Sequence, residues 1–179
     1  MKELPVAEGE KLWGAPERVV LVTSVDPEGR ANIIAVGWAM RASMSPPVFA
    51  IGLGKKSHSG TSIAASREFV FCLPGVSLAR QVMYCGTHSG REVDKFAETG
   101  LTPQPGRVVK APLIAECLAC FECRVVAAQE IGDHRVFFGE VAASWKGTRA
   151  EPHLLVVGPG SGYEPVYEDG GFRLGGVRA

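Results

Sequence analysis

Every apolar run in this chain is short, and each is cut by glycine or proline before it reaches the length of a long helix. Val19 to Val25 is rich in β-branched residues and stops at Asp26-Pro27-Glu28-Gly29, a turn sequence in which proline presets φ and glycine accepts positive φ. Ala31 to Trp38 then resumes the apolar pattern, so the two segments read as a β-hairpin. Pro46-Pro47 breaks the chain again, and Val48 to Leu53, bounded by the prolines and by Gly52 and Gly54, reads as a buried strand. Glu68 to Leu73 is a fourth strand, stopped by Pro74-Gly75. Leu118 to Gln129 and Arg135 to Trp145 flank the Gly132-Asp133 turn and form a second hairpin, with Val136, Phe138 and Val141 as its apolar positions. Pro165 to Leu174 is expected to add a terminal strand.

With 22 glycines and 12 prolines in 179 residues, helices fit only between these breaks. One short helix is expected near 62–66. A second runs from Ser77, its N-cap, to Tyr84, with Leu78, Val82 and Met83 on one face. A third covers Glu92 to Glu98 with Val93 and Phe96 inward. Thr102 to Pro112 reads as loop. The sum is about six or seven strands in adjacent hairpins, hence a mainly β, antiparallel single domain over residues 1–179, closed or partly closed as a barrel. The chain has no βαβ crossovers and no G-x-G-x-x-G after its first strand, which argues against a doubly wound dinucleotide fold.

Charge excludes some partners. Lys plus Arg and Asp plus Glu each total 19, so neither nucleic acid nor an anionic membrane surface is indicated. No run approaches the ~20 apolar residues of a membrane helix. Met1 to Gly9 lacks the basic and apolar regions of a secretory signal, and a soluble, cytoplasmic protein is expected. The cysteines are five, an odd number that suits reduced thiols. Cys117, Cys120 and Cys123 have metal-like C-x-x-C-x-x-C spacing. The segment reads as strand, however, and alternation places Cys117 and Cys123 on one face and Cys120 on the other, so buried structural thiols are expected over a zinc or iron–sulfur site. A nucleophilic pair of Cys85 with His88 or His134 needs a juxtaposition the sequence does not supply.

Three segments carry candidate chemistry. Ala35-Val36-Gly37-Trp38-Ala39-Met40 lies where a strand ends, and Gly37 allows close approach of a flat group to main-chain polar atoms. Gly54-Lys55-Lys56-Ser57-His58-Ser59-Gly60-Thr61-Ser62 gathers two lysines, a histidine and hydroxyls ahead of a helix start, which suits a phosphate. Cys85-Gly86-Thr87-His88-Ser89-Gly90-Arg91-Glu92-Val93-Asp94-Lys95-Phe96 repeats that combination. Taken alone, the three also describe a core strand and two solvated loops.

The order of these elements resembles the flavin reductase-like family, and within it the flavoredoxins. Asn32 to Pro47 resembles the family's flavin-binding strand and loop. Ser89-Gly90-Arg91-Glu92-Val93-Asp94-Lys95-Phe96 is similar to its S-G-R-x-x-D-K-F element. Glu116-Cys117 with Glu122-Cys123 resembles its paired E-C strand, and Gly132-Asp133-His134 followed by Phe138-Gly139-Glu140-Val141 resembles its G-D-H…G-E-V hairpin. The resemblance implies a split barrel of Greek-key strands, a homodimer and FMN near the subunit interface. It implies an NAD(P)H-dependent flavin reductase or an electron carrier, with NADH or NADPH as co-substrate and a redox protein or monooxygenase as partner. A flavin- or haem-binding module of the same barrel without turnover, acting as sensor or store, is the alternative. By position, Asn32, Gly37, Trp38, Ala39 and Met40 would face the flavin, with Ser43, Lys56, Ser57 and Ser59 near the ribityl chain or phosphate. Ser89, Gly90 and Lys95 would complete the cradle, His134 would be the catalytic group beside the ring, and Phe172 would be a late aromatic residue near it. Gly147 to Gly162 matches nothing in that pattern.

Overall fold

The computed structural model describes residues 1–14, 16–157, 164–169 and 172–176, without the side chains of Lys11, Glu164 and Phe172. Among them the elements are α1 (Val6–Gly9), β1 (Glu17–Arg18), β2 (Val20–Val25), β3 (Ala31–Val36), β4 (Ala39–Met44), β5 (Pro47–Gly54), α2 (His58–Ser66), β6 (Glu68–Leu73), α3 (Ala79–Thr87), α4 (Lys95–Thr99), β7 (Pro103–Gln104), β8 (Leu113–Ile114), β9 (Ala119–Ile131), β10 (His134–Lys146), β11 (Leu155–Val156), β12 (Glu164–Asp169) and β13 (Phe172–Gly176). Seven strands form one antiparallel sheet in the order β3-β2-β6-β9-β10-β5-β4. Its two edges, β3 and β4, follow each other in the chain and are joined by Gly37-Trp38 alone. The sheet curls until its edges meet at that link without pairing, which makes a barrel split at one seam.

Strands β2 and β6 read as unbroken apolar runs because both of their faces are buried. Val20, Val22, Phe69 and Phe71 point into the barrel with Ile51, Cys123 and Phe137. Leu21, Val70 and Cys72 point outward, beneath Val82 and Met83 of α3 and Phe96 of α4. Gly139 of β10 sits against this interior, where a Cβ would collide with the Phe69 ring and the Cys123 side chain. On the outer face of β9, Glu122 is fully buried. Its carboxylate accepts the backbone N–H groups of Arg107, Val108 and Val109 at 3.0, 2.5 and 2.8 Å and the Trp145 indole N–H at 2.7 Å. One side chain thus pins the 107–109 loop over the sheet.

Several sequence expectations change. Strand β4 was not visible as a strand: it is an exposed edge with no apolar run, held by pairing with β5. The short strands β1 and β11 join β12 and β13 in a second sheet, and β7, inside the segment read as loop, pairs with β8 just past its end; two-residue strands carry no periodic signal. Ser77 does not cap a helix. It lies in the turn before α3, and its hydroxyl donates to Glu151 Oε1 at 2.7 Å. In β10 the residue buried in the barrel is Phe137, while Val136 and Phe138 are half-buried on the opposite face. Cys117 precedes β9 in a turn, so strand alternation does not govern it. It shares a cluster with Cys120 and Cys72, while Cys123 faces the barrel interior. All five cysteines are free and buried. Among the described residues no group of three or more His, Cys, Asp or Glu side chains is arranged to hold a metal ion, and no helix is long and apolar enough to cross a membrane.

Candidate functional site

Helix α2 begins at His58, earlier than the sequence pattern indicates, because Ser57 caps it: the Ser57 hydroxyl accepts the Gly60 N–H at 3.1 Å. This start turns the free amides of α2 toward the loop 88–91. Between them lies a cleft of about 130 Å³ lined by Asn32, Ser57, Ser59, Gly90, Arg91 and Lys95, with His58 and His88 at its sides. The helix dipole, Arg91 and Lys95 all favour an anion there.

Asn32 and Lys95 tie this end together. Asn32 is 4% exposed. Its amide donates to Ser59 Oγ at 2.7 Å, while its carbonyl oxygen is buried and has no partner. Buried polar atoms are normally satisfied, so this oxygen is an acceptor open to a donor that enters the cleft. Lys95, at the first position of α4 behind the Asp94 cap, is also 4% exposed. Its ammonium donates to the backbone carbonyls of Ile33 and Cys85 at 2.8 and 2.7 Å, which leaves one N–H for the cleft it lines. Burial holds Lys95 below the usual lysine range. Burial also pushes the Cys85 thiol up to about 11, which favours the protonated thiol at neutral pH.

The polar cleft runs into a larger cavity of about 410 Å³, with Ile34 and Gly86 lining both. The walls of this cavity are largely apolar: Val36, the Gly37-Trp38 seam, Leu53, and Val82 and Met83 of α3. His134 stands at one side. Its ring lies 4.4 Å from the Trp38 ring, tilted by 37°, and its Nδ1 pairs with Asp133 Oδ1 at 2.6 Å, which fixes the imidazole's orientation. The hydrogen bond to His134 holds the Asp133 carboxyl below the usual carboxylate range. Beyond the seam a further apolar cavity of about 530 Å³ is lined by Trp13, Arg18, Ala39, Met40, Ile51 and Val136.

Of the residues singled out in the sequence, Asn32, Ser57, Ser59, Ser89, Gly90 and Lys95 meet at the polar cleft. Gly37, Trp38 and His134 meet at the apolar one. Ala39 and Met40 line the cavity beyond the seam. Two residues are not brought in. Ser43 lies far along β4, opposite Val48 and past a bulge, and lines none of these cavities. Lys56 is exposed in the turn before α2, outside the cleft lining. The Phe172 backbone pairs with Asp169, and its side chain lies outside the described residues. His58 and Arg91 join the cleft although sequence reasoning did not single them out; both stand inside the two hydroxyl-rich loops that pointed to it. An alanine methyl at Gly90 would collide with the Asn32 carbonyl oxygen. Gly90→Ala is therefore expected to displace the Asn32 amide, weakening binding of a ligand that fills the cleft about tenfold, the scale of one lost hydrogen bond, and lowering the melting temperature because Asn32 is buried against Ser59.

The site therefore sets an apolar cavity beside a polar cleft that holds a buried acceptor and two cationic side chains. That arrangement fits a planar ring in the first and a hydroxylated chain with a phosphate in the second. The known proteins this chain resembles bear on the same point. An Archaeoglobus fulgidus protein is 35% identical over 112 residues, 63% of each chain, so the match spans somewhat less than two thirds of that relative. The NADH:riboflavin 5'-phosphate oxidoreductase of Streptomyces pristinaespiralis is 28% identical over 137 residues, 76% of this chain and 75% of that one. The structure of flavoredoxin from Desulfovibrio vulgaris (Miyazaki F) superposes with a TM-score of 0.76 at 28% identity, over 94% of this chain and 95% of that one. The flavin reductase like domain matches residues 13–166, and the chain belongs to that family.

Proposed function

We propose that this protein binds FMN in the groove between Trp38 and Lys95 and works as an NAD(P)H-dependent flavin reductase or flavin-based electron carrier. The observation that carries this reading is the apolar cavity at Trp38 adjoining, at Ile34 and Gly86, a polar cleft that holds the unpartnered Asn32 carbonyl oxygen together with Arg91 and Lys95. Bound FMN would supply the two-electron chemistry; the residues of the chain hold and orient it. Trp38 and Val36 exclude water from the ring. Asn32 and Ser59 take the ribityl hydroxyls. The amides at the start of α2, Arg91 and Lys95 take the phosphate. His134, hydrogen-bonded to Asp133 and tilted against Trp38, offers a hydrogen bond at the edge of the ring and an imidazole to move a proton there.

A homodimer is part of this proposal. Trp13, Trp38 and Met40, around the seam, are 80%, 61% and 60% exposed, and Met44, at the far end of edge strand β4, is 73% exposed. Such an apolar surface is commonly covered by a second subunit, and sedimentation giving a monomer at micromolar concentration would remove this part.

Titration with FMN, read by flavin absorbance and fluorescence, tests the binding claim, and addition of NADH or NADPH under anaerobic conditions tests the reductase claim. Bleaching of the bound flavin is the expected result. Failure to bind FMN overturns the reading; binding without bleaching by either nucleotide leaves a module that holds flavin without turnover. In the active protein, His134→Gln is expected to lower the bleaching rate about 10²-fold or more if the imidazole moves a proton, with FMN affinity changed by less than about tenfold.

A further inference from the structure

We infer that His58 takes up a proton when a phosphate monoester enters the polar cleft, with Asp26 acting behind it as a positioning residue. The inference rests on reading that cleft as the phosphate end of the groove.

His58 is the first residue of α2. Its side chain is 17% exposed, and it lines the cleft beside Ser57, Ser59, Arg91 and Lys95. On its other side, Nε2 lies 4.0 Å from Asp26 Oδ2. Asp26 is itself buried at the end of β2, with a side chain only 2% exposed. It is already engaged by Arg30, whose backbone N–H, Nε and terminal guanidinium nitrogen approach it at 2.8, 2.9 and 2.9 Å. Its negative charge is therefore largely balanced before His58 is considered. The charged and titratable groups facing the imidazole are Asp26 and Arg30 from the β2–β3 turn, His88 and Arg91 from the loop that follows α3, and Lys95 from α4. Cations outnumber the one carboxylate.

With the cleft free of an anion, burial and then Arg91 hold His58 below the usual imidazole range, and Arg30 and Lys95 add to this against Asp26. A phosphate monoester carries close to two negative charges above its second pKa of about 6. Placed among Arg91, Lys95 and the α2 amides, it reverses the balance around His58 and favours imidazolium. The unpartnered oxygen of Asn32, on the same cleft, is an independent sign that a ligand with a donor group belongs there. The proton comes from solvent, and no other bond changes. Affinity for a phosphate monoester should therefore rise as pH falls from about 8 toward about 6.5, and stop rising where the ester itself takes a proton. Asp26 steadies the imidazolium once formed.

The test is an NMR titration of the histidine rings in the labelled full chain, with the His58 signal assigned by its loss in His58→Gln. FMN, riboflavin and inorganic phosphate are the three probes. Saturating FMN is expected to raise the His58 midpoint by at least about one pH unit, as a close opposite charge does. Inorganic phosphate should raise it less, and riboflavin should leave it in place. Asp26→Asn should lower the midpoint in the free protein; an unchanged midpoint there removes Asp26 from the proposal. FMN bound by absorbance with an unmoved His58 midpoint overturns the inference, as does an equal rise with riboflavin. If FMN does not bind but inorganic phosphate still raises the midpoint, the flavin reading fails and the His58 inference stands. No response to either phosphate overturns it.

Discussion

Glu122→Gln is expected to cost about 3–5 kcal/mol of folding stability, the scale of breaking a buried charged network, and to lower the melting temperature by on the order of 10 °C. The two carboxylate oxygens serve four donors: the N–H groups of Arg107, Val108 and Val109 and the Trp145 indole. An amide keeps one acceptor oxygen and replaces the other with a donor. That NH₂ would face N–H groups, leaving at least one buried donor unpaired. The effect has a pH signature. Burial alone would raise the Glu122 carboxyl, but the backbone N–H groups of Arg107 and Val108, the Trp145 indole and the Val109 N–H outweigh it and hold the group below the usual carboxylate range. A carboxyl lowered in the folded state stabilises the fold fully above its unfolded value and loses that contribution as pH falls through the folded one. Urea unfolding of both proteins should therefore show a gap that is full at neutral pH and narrows as pH falls below about 5. A gap that stays constant across that range would mean the carboxylate is not what the loop reads.

Glu122 also marks where the sequence stopped being informative. Its place in an E-C pair was visible, yet its partners lie thirteen to fifteen residues back, in a loop whose closure over β9 is tertiary. Strands β2 and β6 were legible because burial on both faces makes an unbroken apolar run, and the β9–β10 hairpin because a Gly-Asp turn separates two long ones. Strand β4 was not, since an exposed edge needs no apolar side chains and is held by β5's backbone. Which face of β10 turns inward was not legible, because Val136, Phe137 and Phe138 are all apolar and Phe137 alone of them packs inside the barrel, just before a bulge at Phe138 and Gly139. The site divides in the same way. Both hydroxyl-rich loops signalled an anion, since that signal is local. That they face one cleft depends on Asn32 reaching Ser59 across 27 positions and Lys95 reaching Ile33 across 62. Ser43 and Lys56 share the composition of the site but not its location, because position along a motif does not fix which way a strand edge or a turn faces.

Lys95→Met is expected to lower FMN affinity by about fivefold to about 150-fold, the 1–3 kcal/mol range of a charge-assisted hydrogen bond, and to cost about 2–3 kcal/mol of stability as well. The sequence motif gave this residue only to a phosphate. In the fold its ammonium first joins β3 to the end of α3, through the carbonyls of Ile33 and Cys85 at 2.8 and 2.7 Å. Methionine fills similar space but leaves both carbonyls unsatisfied in a buried place, each worth about 1–3 kcal/mol. Relief of a buried cation offsets part of that, which is why the net cost falls below the sum. The two effects separate in one experiment. Thermal unfolding without ligand reports the lost staple. Affinity for FMN against riboflavin, measured well below the melting temperature, reports the phosphate contact, because riboflavin has the same ring and ribityl chain without the anion. The expected result is a larger loss for FMN than for riboflavin. Equal losses for both would mean that Lys95 shapes the groove through β3 and leaves the phosphate to Arg91 and the start of α2.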